Sequence, residues 1–402
     1  VRAIEQMQGA QVPASMLETV VLPSRVVDYH PALLDELTSA GDVLWVGQGS
    51  LPGNDGWVSI HLADNAPLLM PLADAEPTHT PLHQQVLESL SGGGAMFFRS
   101  LSDRVTSTDD RALVEALWDL VWSGLVTNDT LAPLRNLVGA GSRRSAPRAR
   151  PGRRGRPVMP IRSGPPSAAG RWSLLPERET DPTRRAHAAA EALLDRHGLV
   201  TRGAVMAEHV TGGFAAVYPV LKAFEETGRC RRGYFVEGLG GAQFAMPGAV
   251  DRMRAMAQPR RETSSWQTAV PGGWRERRQP AEEAALVLAA ADPANPYGAA
   301  LAWPDHAGTH RPGRKAGALV VLVDGELALY VERGGKSLLS WSDDPACVQP
   351  AADALALAVR DGMLGKLAVE RADGEAVLTS PLGAALEQAG FRPTPRGLRL
   401  RA

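Results

Sequence analysis

The stretch that decides the fold is LVTRGAVMAEHVTGGFAAVYPVLKAFEETGRCRRGYFVEGLGGAQFAMPGAVDRMR, which runs from Leu199 to Arg254. A strand stub and a short helix precede the helix GGFAAVYPVLKAFEETG, which ends at Gly228, a residue type that commonly ends helices. RCRRGYFVEGLGGAQFAMP then predicts two strands joined by a glycine-rich turn. The amphipathic helix TRRAHAAAEALLDRHG lies in front, so the order of elements predicts a winged helix over residues 181–257.

A similar order of elements lies near the start of the chain. HPALLDELTSAG predicts a helix that ends at Gly41, and two strands follow around the turn Asn54–Asp55–Gly56. This hairpin resembles the wing of a winged helix. We therefore predict a winged-helix-like module over residues 23–75 and assign residues 1–22 to the end of a preceding module.

Three further helices predict a second winged helix over residues 76–140. The longest of them, in STDDRALVEALWDLVWSG, has its apolar residues at helical spacing. Ser107 or Thr108 stands where the N-cap of this helix belongs, and acidic residues follow in its first turn.

The last part of the chain has a different pattern. Two strand pairs are predicted around Asp324–Gly325 and Asp373–Gly374, with a helix between them. We predict a small α+β β-barrel domain over residues 280–402, preceded by a basic connector at 258–279. The fold class is therefore multidomain α+β, with tandem winged-helix modules followed by this barrel domain.

Arginine is concentrated between Gly141 and Trp172, a window without acidic residues. Such a run attracts polyanions, chiefly the phosphates of DNA or RNA. Its Pro-, Gly- and Ser-rich composition fits a solvated spacer equally well. We interpret residues 141–180 as a linker. The predicted nucleic-acid-binding residues in it are Arg143, Arg144, Arg148, Arg150, Arg153, Arg154 and Arg156.

Composition and motifs exclude several classes of protein. The 402-residue sequence has no signal peptide and no apolar run approaching about 18 residues, so we expect neither secretion nor a membrane span. Cys230 and Cys347 lie far apart, which fits a reducing cytoplasm and excludes a structural zinc site of the usual spacing. No GxxxxGK[ST] loop is present to bind ATP. The sequence begins at Val1 without an initiator Met, and residues 1–19 resemble the end of a preceding element, so we interpret it as a fragment. The cysteine usage leads us to expect a cytoplasmic location.

Several blocks are specific enough to carry a family resemblance. They are GGFAAVY and EETGRCRRGYFVEGLGGAQFA in the third module, LPGNDGWVSIHLAD in the first and the closing TPRGLRLR. These blocks, and the order of the modules, resemble the C-terminal region of the large helicase-related (Lhr) DNA helicases of bacteria. The resemblance covers essentially the whole chain.

The resemblance implies an ATP-dependent repair helicase whose motor, with its ATP and Mg²⁺, lies N-terminal to this chain. No cofactor is then expected in the chain itself. The resemblance also implies a winged-helix and β-barrel assembly similar to the AlkZ-type DNA glycosylases, and a role in oligomerisation. We predict a region that binds DNA and forms a homo-oligomer. A glycosylase module that excises a damaged base and a pure assembly module are the alternatives.

The wing of the third module is the sharpest candidate for nucleic-acid contact. Arg229, Arg231 and Arg232 precede Tyr234 and Phe235 on a strand, so phosphates and an unstacked base could be held side by side. The same residues could equally be a solvated strand. The helix before this wing has Lys222 as its only basic residue, where a base-reading helix would present Arg, Asn or Gln. We therefore expect single-stranded or structured DNA to be bound without sequence specificity.

Two loop pairs are candidates for catalysis, because base excision needs a carboxylate or amide near the sugar. Asn54–Asp55 also has a complete explanation as a turn. For Asp305–His306 the alternative is a polar surface loop. We assign no catalytic residue.

Two aromatic and histidine pairs have simpler interpretations. His79 and His83 have metal-ligand spacing, but Pro81 between them would interrupt the helix that must align them. Trp118 and Trp122 are one helical turn apart. Core packing is the expected explanation for them, and an oligomer interface is the alternative.

Overall fold

The computed structural model describes residues 1–72, 79–142, 164–257, 285–306, 308 and 310–401. The chain forms two compact units. The first comprises residues 1–192, 208–217 and 291–293, and the second comprises residues 193–207, 218–290 and 294–402. Across the described ranges, no helix is both long and apolar enough to span a membrane.

The first unit opens with a winged helix built on a three-stranded sheet of order β1-β3-β2. Its elements are α1 (Arg2–Met7), β1 (Val12–Pro13), α2 (Ala14–Met16), a π-helical turn (Leu17–Val21), α3 (Pro31–Ala40), β2 (Val43–Leu51), β3 (Asp55–Leu62) and α4 (Ala66–Leu69). Gly41 takes a left-handed φ of 86° after α3, and Asn54 takes a φ of 61° in the hairpin. The predicted helix and hairpin are therefore present. Gly and Asn tolerate positive φ, which explains why they occupy these two turn positions.

The sheet contains residues from both sides of the predicted module boundary between residues 22 and 23. Val12 of β1 pairs with Val58 of β3, and Pro13 pairs with Trp57. Residues 1–22 thus share a sheet with the hairpin instead of ending a separate module.

A second sheet, of order β4-β6-β5, also lies in the first unit. The elements around it are α5 (Pro81–Leu90), β4 (Met96–Phe97), α6 (Phe98–Arg104), α7 (Asp110–Trp122), β5 (Val126–Asn128), α8 (Ala132–Ser142), a 3₁₀ turn (Pro166–Ala168) and β6 (Arg171–Leu174). The N-cap of α7 is Asp109, whose carboxylate accepts from the N–H groups of Arg111 and Ala112. The prediction of Ser107 or Thr108 was wrong by one or two residues, because Asp109 reaches two free N–H groups of the first turn.

Strand β6 lies inside the segment that the sequence assigned to a linker. Trp172 on this strand is fully buried, and its ring meets the ring of Trp118 edge to face at 5.9 Å. Trp118 also donates from its indole N–H to the Ser167 carbonyl at 3.0 Å. Residues 166–174 are therefore part of the second module, and Trp118 is a core residue as expected.

The next elements follow the predicted order of a winged helix. They are α9 (Pro182–His197), β7 (Leu199–Val200), α10 (Arg202–Ala207), α11 (Gly213–Glu226), β8 (Arg231–Gly233), β9 (Gln243–Ala245) and α12 (Ala249–Ala257). The three strands form a sheet of order β7-β9-β8, which leaves β8 at an edge.

The terminal domain in the second unit has two sheets, of order β10-β11-β12-β13-β15-β16 and β14-β18-β17. Its elements are β10 (Ala285–Ala289), β11 (Leu319–Val323), β12 (Glu326–Val331), β13 (Ser337–Ser340), α13 (Pro345–Arg360), β14 (Lys366–Val369), β15 (Arg371–Ala372), β16 (Glu375–Ala376), α14 (Pro381–Gln388), β17 (Arg392–Thr394) and β18 (Gly397–Arg401). Asp324 and Asp373 take positive φ in the two predicted turns.

Long-range pairing changes the second of the predicted strand pairs. β14 pairs with β18 at the end of the chain, while Asp373 joins the two-residue strands β15 and β16. The multidomain α+β class is confirmed, and closure of the terminal domain into a barrel stays a prediction.

Candidate nucleic-acid interface and clefts

The wing between β8 and β9 is fixed by one buried side chain, Gln243. Its Oε1 accepts from the N–H groups of Phe235 and Val236, at 3.1 and 2.9 Å. Its Nε2 donates to the carbonyls of Val236 and Gly240, at 2.9 and 2.8 Å. Because the amide satisfies four backbone groups of the loop, it holds the wing in one conformation.

The two aromatic residues of the wing have different environments. Tyr234 is 83% exposed, and its hydroxyl lies so close to Gly241 that a Cβ there would come within 2.5 Å of it. Phe235 is half-buried and folds back over Gly233. One face of the wing therefore presents the Tyr234 ring to solvent on a glycine support, while Phe235 helps to pack the loop.

The three predicted arginines of the wing also differ. Arg229 places its guanidinium 4.2 Å from the centre of the Phe224 ring. Arg232 is held to α11, where it donates to the Tyr218 hydroxyl at 3.1 Å and lies 3.4 Å from Glu225. Arg231 is exposed and forms no ion pair within the described part of the chain. Arg231 and Tyr234 are thus the two wing residues most available to a ligand.

The remaining predicted contacts fall outside the described residues. They are Arg143, Arg144, Arg148, Arg150, Arg153, Arg154 and Arg156. The described ends of their segment, α8 and the 3₁₀ turn at Pro166–Ala168, contact each other: Asn136 donates to the Pro166 carbonyl at 3.2 Å. Both ends therefore belong to the second module.

The loop pair Asp305–His306 does not act as a pair. The partner of His306 is Asp373, whose carboxylate lies 2.9 Å from Nε2, and the Gly308 N–H donates to Nδ1 at 3.0 Å. Asp373 also accepts from Ser340, from its N–H at 2.8 Å and from its hydroxyl at 2.6 Å. Both ring nitrogens of the imidazole are engaged, and Ser340 donates to the carboxylate and not to the imidazole. The arrangement is a strap between loops and lacks the order of a nucleophilic triad.

A cleft of about 480 Å³ lies beside this strap, with Asp305, Trp341 and Asp343 on its walls. His306 is largely buried, with its side chain 8% exposed, so the alternative of a solvated surface loop was wrong for it. Asp305 and Asp343 are exposed.

The pair Asn54–Asp55 is fully explained by structure. The Asp55 carboxylate is buried and accepts from the Ser15 N–H at 3.0 Å, the Ser15 hydroxyl at 2.6 Å and the Gly56 N–H at 2.9 Å. These bonds tie the hairpin to the start of α2, so the carboxylate has a structural role.

A second cleft, of about 390 Å³, lies in the first unit and was not foreseen from the sequence. Its walls are Gly49, Ser50, His79, His83, Asp119, Leu120, Trp122 and Ser123. Helix α5 begins at Pro81, so His79 lies outside it. The described residues contain no group of three or more His, Cys, Asp or Glu side chains suited to a metal ion.

Two family models match separate parts of the chain. Residues 1–63 match the family model for the third winged-helix domain of large helicase-related protein, and residues 179–265 match that for the fourth. Two parts of the chain therefore match winged-helix domains of large helicase-related (Lhr) proteins. The wing with Arg231 and Tyr234 lies in the range that matches the fourth domain, and the Asp55 hairpin lies in the range that matches the third.

Two curated Lhr proteins match almost the whole chain. It is 49% identical over 416 aligned residues to the Lhr helicase/probable uracil glycosylase of Mycolicibacterium smegmatis. It is 39% identical over 412 residues to the Lhr helicase/uracil glycosylase of Escherichia coli. Each match covers 99% of this chain and 26% of the relative, so the chain spans about a quarter of their length. It corresponds to a C-terminal portion of such proteins.

Among solved structures, the DNA glycosylase AlkZ of Streptomyces sahachiroi is similar, with a TM-score of 0.48 and 14% sequence identity. The match covers 92% of this chain and 98% of AlkZ.

Proposed function

We propose that this chain is a DNA-binding region of an Lhr-type repair helicase, which holds DNA without reading its sequence. The observation that carries the proposal is the wing of the fourth domain, where Gln243 fixes a loop that exposes Tyr234, and Arg231 is exposed on the preceding strand β8. An exposed ring can stack on any unpaired base, and an exposed cation can neutralise a phosphate. Helix α11 has Lys222 as its only basic side chain, where a base-reading helix would present Arg, Asn or Gln. This composition supports contact with the DNA backbone and not with base edges.

Separate substitutions in the wing should change different quantities. Tyr234→Ala should weaken binding of a single-stranded oligonucleotide about 5- to 150-fold, because stacking contributes ~1–3 kcal/mol per base. Arg231→Ala should instead lower the slope of log K against log salt by about 0.7, the value for one phosphate of a single strand. Fluorescence anisotropy of a labelled oligonucleotide, without ATP, measures both.

Two further variants complete that experiment. Gln243→Ala keeps both ligand-contacting side chains but frees the loop, and should therefore also weaken binding. Arg111→Ala, at an exposed site in the first unit, is the matched control and should change nothing. Equal affinities for wild type and Tyr234→Ala would overturn the proposal for the wing.

The arginines of the segment 143–163 are proposed to bind further phosphates. Replacing Arg143, Arg144, Arg148, Arg150, Arg153, Arg154 and Arg156 by serine should flatten the salt dependence of duplex binding, by about 0.9 for each phosphate that is no longer neutralised. Binding to a labelled duplex across a salt series tests this. An unchanged slope would remove these arginines from the interface.

Excision of uracil from DNA is a second candidate function. It is supported by the names of both curated relatives, which include uracil glycosylase. Incubation of the chain with a uracil-containing duplex, without ATP, followed by alkaline cleavage at abasic sites, tests this activity. An intact strand would exclude it for this chain.

Homo-oligomerisation is proposed as well, supported by exposed apolar side chains such as Phe97, which is 60% exposed. Light scattering at low and moderate salt gives the molar mass in solution. A discrete multiple of 42.7 kDa supports assembly, and a monomer at both salt concentrations excludes it for this chain.

A further inference from the structure

The second sheet of the terminal domain, of order β14-β18-β17, has one buried face. Leu367 and Val369 of β14 pair with Leu400 and Leu398 of β18. Of these, Leu367, Val369 and Leu398 are at most 5% exposed. Because successive side chains of a strand point to opposite faces, the residues between these apolar positions lie on the other face of the sheet.

That other face carries basic side chains, which lie in pairs. The register places Lys366 of β14 directly opposite Arg401 of β18, and Arg392 of β17 directly opposite Arg399 of β18. Residues directly opposite in an antiparallel pair have their Cβ atoms about 4.5–5.5 Å apart, on the same side of the sheet. We call these four residues the cationic face. The remaining paired positions described for this side of the sheet carry no acidic side chain; they are Ala368, Thr394 and Gly397.

The cationic face has no carboxylate partner within the described ranges. Three of its members are exposed, and Arg399 is partly exposed. Other surface lysines of the terminal domain do have partners: Lys315 lies 3.2 Å from Glu332, and Lys336 lies 3.1 Å from Glu370. The cationic face therefore lacks the compensation that these lysines have.

The pairing on this face lowers the stability of the sheet. Like charges directly opposite each other are destabilising, and both pairs of the cationic face are like-charged. A bound polyanion would remove this repulsion, because its charges can lie between the cations. The arrangement therefore favours a polyanionic ligand over a face that only contacts solvent.

The composition of the face narrows this ligand to a nucleic-acid backbone. Its paired positions include no aromatic side chain to stack an unpaired base. Three strands about 4.8 Å apart, with α13 and α14 packed against β18, are also too wide for the major groove of DNA, which is about 12 Å wide. Contacts with phosphates remain, and a duplex presents twice as many of them per unit length as a single strand.

We propose that the cationic face binds the phosphates of duplex DNA, as a second contact separate from the wing. This inference rests on the proposed DNA-binding function and extends it to the terminal domain. Arg399 and Arg401 are about 7 Å apart along β18, and their paired cations lie on the strands at either side. Since the charges of a duplex recur about every 1.7 Å along its axis, the face spans several phosphates. Such contacts hold the duplex without reading its sequence.

Two double variants of the full chain test the face. One combines Lys366→Gln with Arg401→Gln, and the other combines Arg392→Gln with Arg399→Gln. Each should flatten the slope of log K against log salt for a labelled duplex. The expected change is about 0.9 for each phosphate that is no longer neutralised, and thus up to about 1.8 for each double variant. Fluorescence anisotropy across a salt series measures it.

Lys315→Gln combined with Lys336→Gln is the matched control, because it removes the same number of charges from the same domain. Both lysines have carboxylate partners, so we expect the wild-type slope. Thermal denaturation checks the fold of all three double variants. Each face variant removes a like-charged pair, so its melting temperature at low salt should equal or exceed that of wild type. A variant that keeps this temperature but binds with a flatter slope has lost a phosphate contact and not its fold.

The outcomes distinguish the cationic face from the wing and from DNA binding as a whole. Tyr234→Ala should weaken single-stranded binding by the same factor in wild type and in each face variant, because independent sites act additively. If wild type binds the duplex and both face variants keep its slope, the cationic face is wrong and the proposed DNA binding stands. If wild type binds neither duplex nor single strand, the proposed function fails and the face fails with it.

A labelled polyglutamate peptide tests for the other polyanion that such a face could bind, an acidic protein segment. We expect wild type and both face variants to bind the peptide weakly and alike at the salt concentration at which wild type binds the duplex. If the face variants lose affinity for the peptide but keep the duplex slope, the ligand is an acidic protein and the proposal is overturned.

Discussion

Replacing Trp172 by alanine should lower the free energy of unfolding of the first unit by about 3–5 kcal/mol, the usual cost of removing a buried tryptophan. Trp172 is fully buried in strand β6 and packs against Trp118, while its indole N–H donates to the Ala168 carbonyl at 3.1 Å. The substitution would leave a cavity and an unpaired carbonyl in the core of the second module. Chemical denaturation followed by tryptophan fluorescence and circular dichroism measures the decrease.

Phe97→Ala is the matched control for this substitution. Phe97 lies in β4, next to β6 in the same sheet, but it is 60% exposed. We expect it to cost less than about 1 kcal/mol, as surface substitutions usually do. A decrease for Trp172→Ala as small as that for Phe97→Ala would mean that residues 166–174 behave as the linker that the sequence indicated.

Replacing Arg135 by alanine should cost about 3 kcal/mol, because it leaves two partly buried carboxylates without a cation. The guanidinium contacts Asp35 through two bonds of 2.8 Å and Glu18 through bonds of 2.6 and 3.1 Å. Tyr29 also donates to Glu18, at 2.6 Å; burial and this carboxylate together raise the pKa of its phenol well above the usual range. The tyrosine therefore stays protonated and neutral. It keeps its hydrogen bond to Glu18, but it does not supply the positive charge that Arg135→Ala removes.

Two comparisons make the Arg135 experiment specific. Arg135→Lys keeps the charge but not the planar fork, so part of the destabilisation should remain. Arg111→Ala breaks only an exposed pair with Glu115 and should leave the free energy of unfolding nearly unchanged. A thermal and urea denaturation series compares all three. Equal stability of Arg135→Ala and wild type would contradict the role given to this ion-pair network.

The turns and module order could be predicted from sequence because their signals are local. Asn54 and Asp324 adopt the positive φ that their turns require, and Gly41 follows α3 as expected. The N-cap of α7 was misplaced because Ser107, Thr108 and Asp109 all have suitable side chains. Only the geometry of the first turn decides between them.

Other features depend on contacts between distant residues. Strand β6 follows a long arginine-rich run, and only the packing of Trp172 against Trp118 shows that it belongs to a core. β14 finds its partner in β18, near the end of the chain, a pairing that hairpin patterns cannot indicate.

The candidate sites were predictable to different extents. Arg231 and Tyr234 were found because basic and aromatic residues are close together in this part of the sequence. The expectation that Tyr234 and Phe235 lie on the strand was wrong, since β8 ends at Gly233. The role of Gln243 was missed because its four bonds run to backbone groups. The spacing Thr80–Pro81–Leu82–His83 was a usable signal for the cleft. It resembles a capping box in which histidine replaces the usual glutamate or glutamine.

The most direct test of the proposed DNA binding by the module at residues 181–257 is photo-cross-linking to a single-stranded oligonucleotide that contains 5-iodouracil. Mass spectrometry then identifies the cross-linked residue. The wing proposal predicts a cross-link at Tyr234 that is absent in Tyr234→Ala and retained in Arg111→Ala. Cross-links that form elsewhere and never in the wing would contradict it.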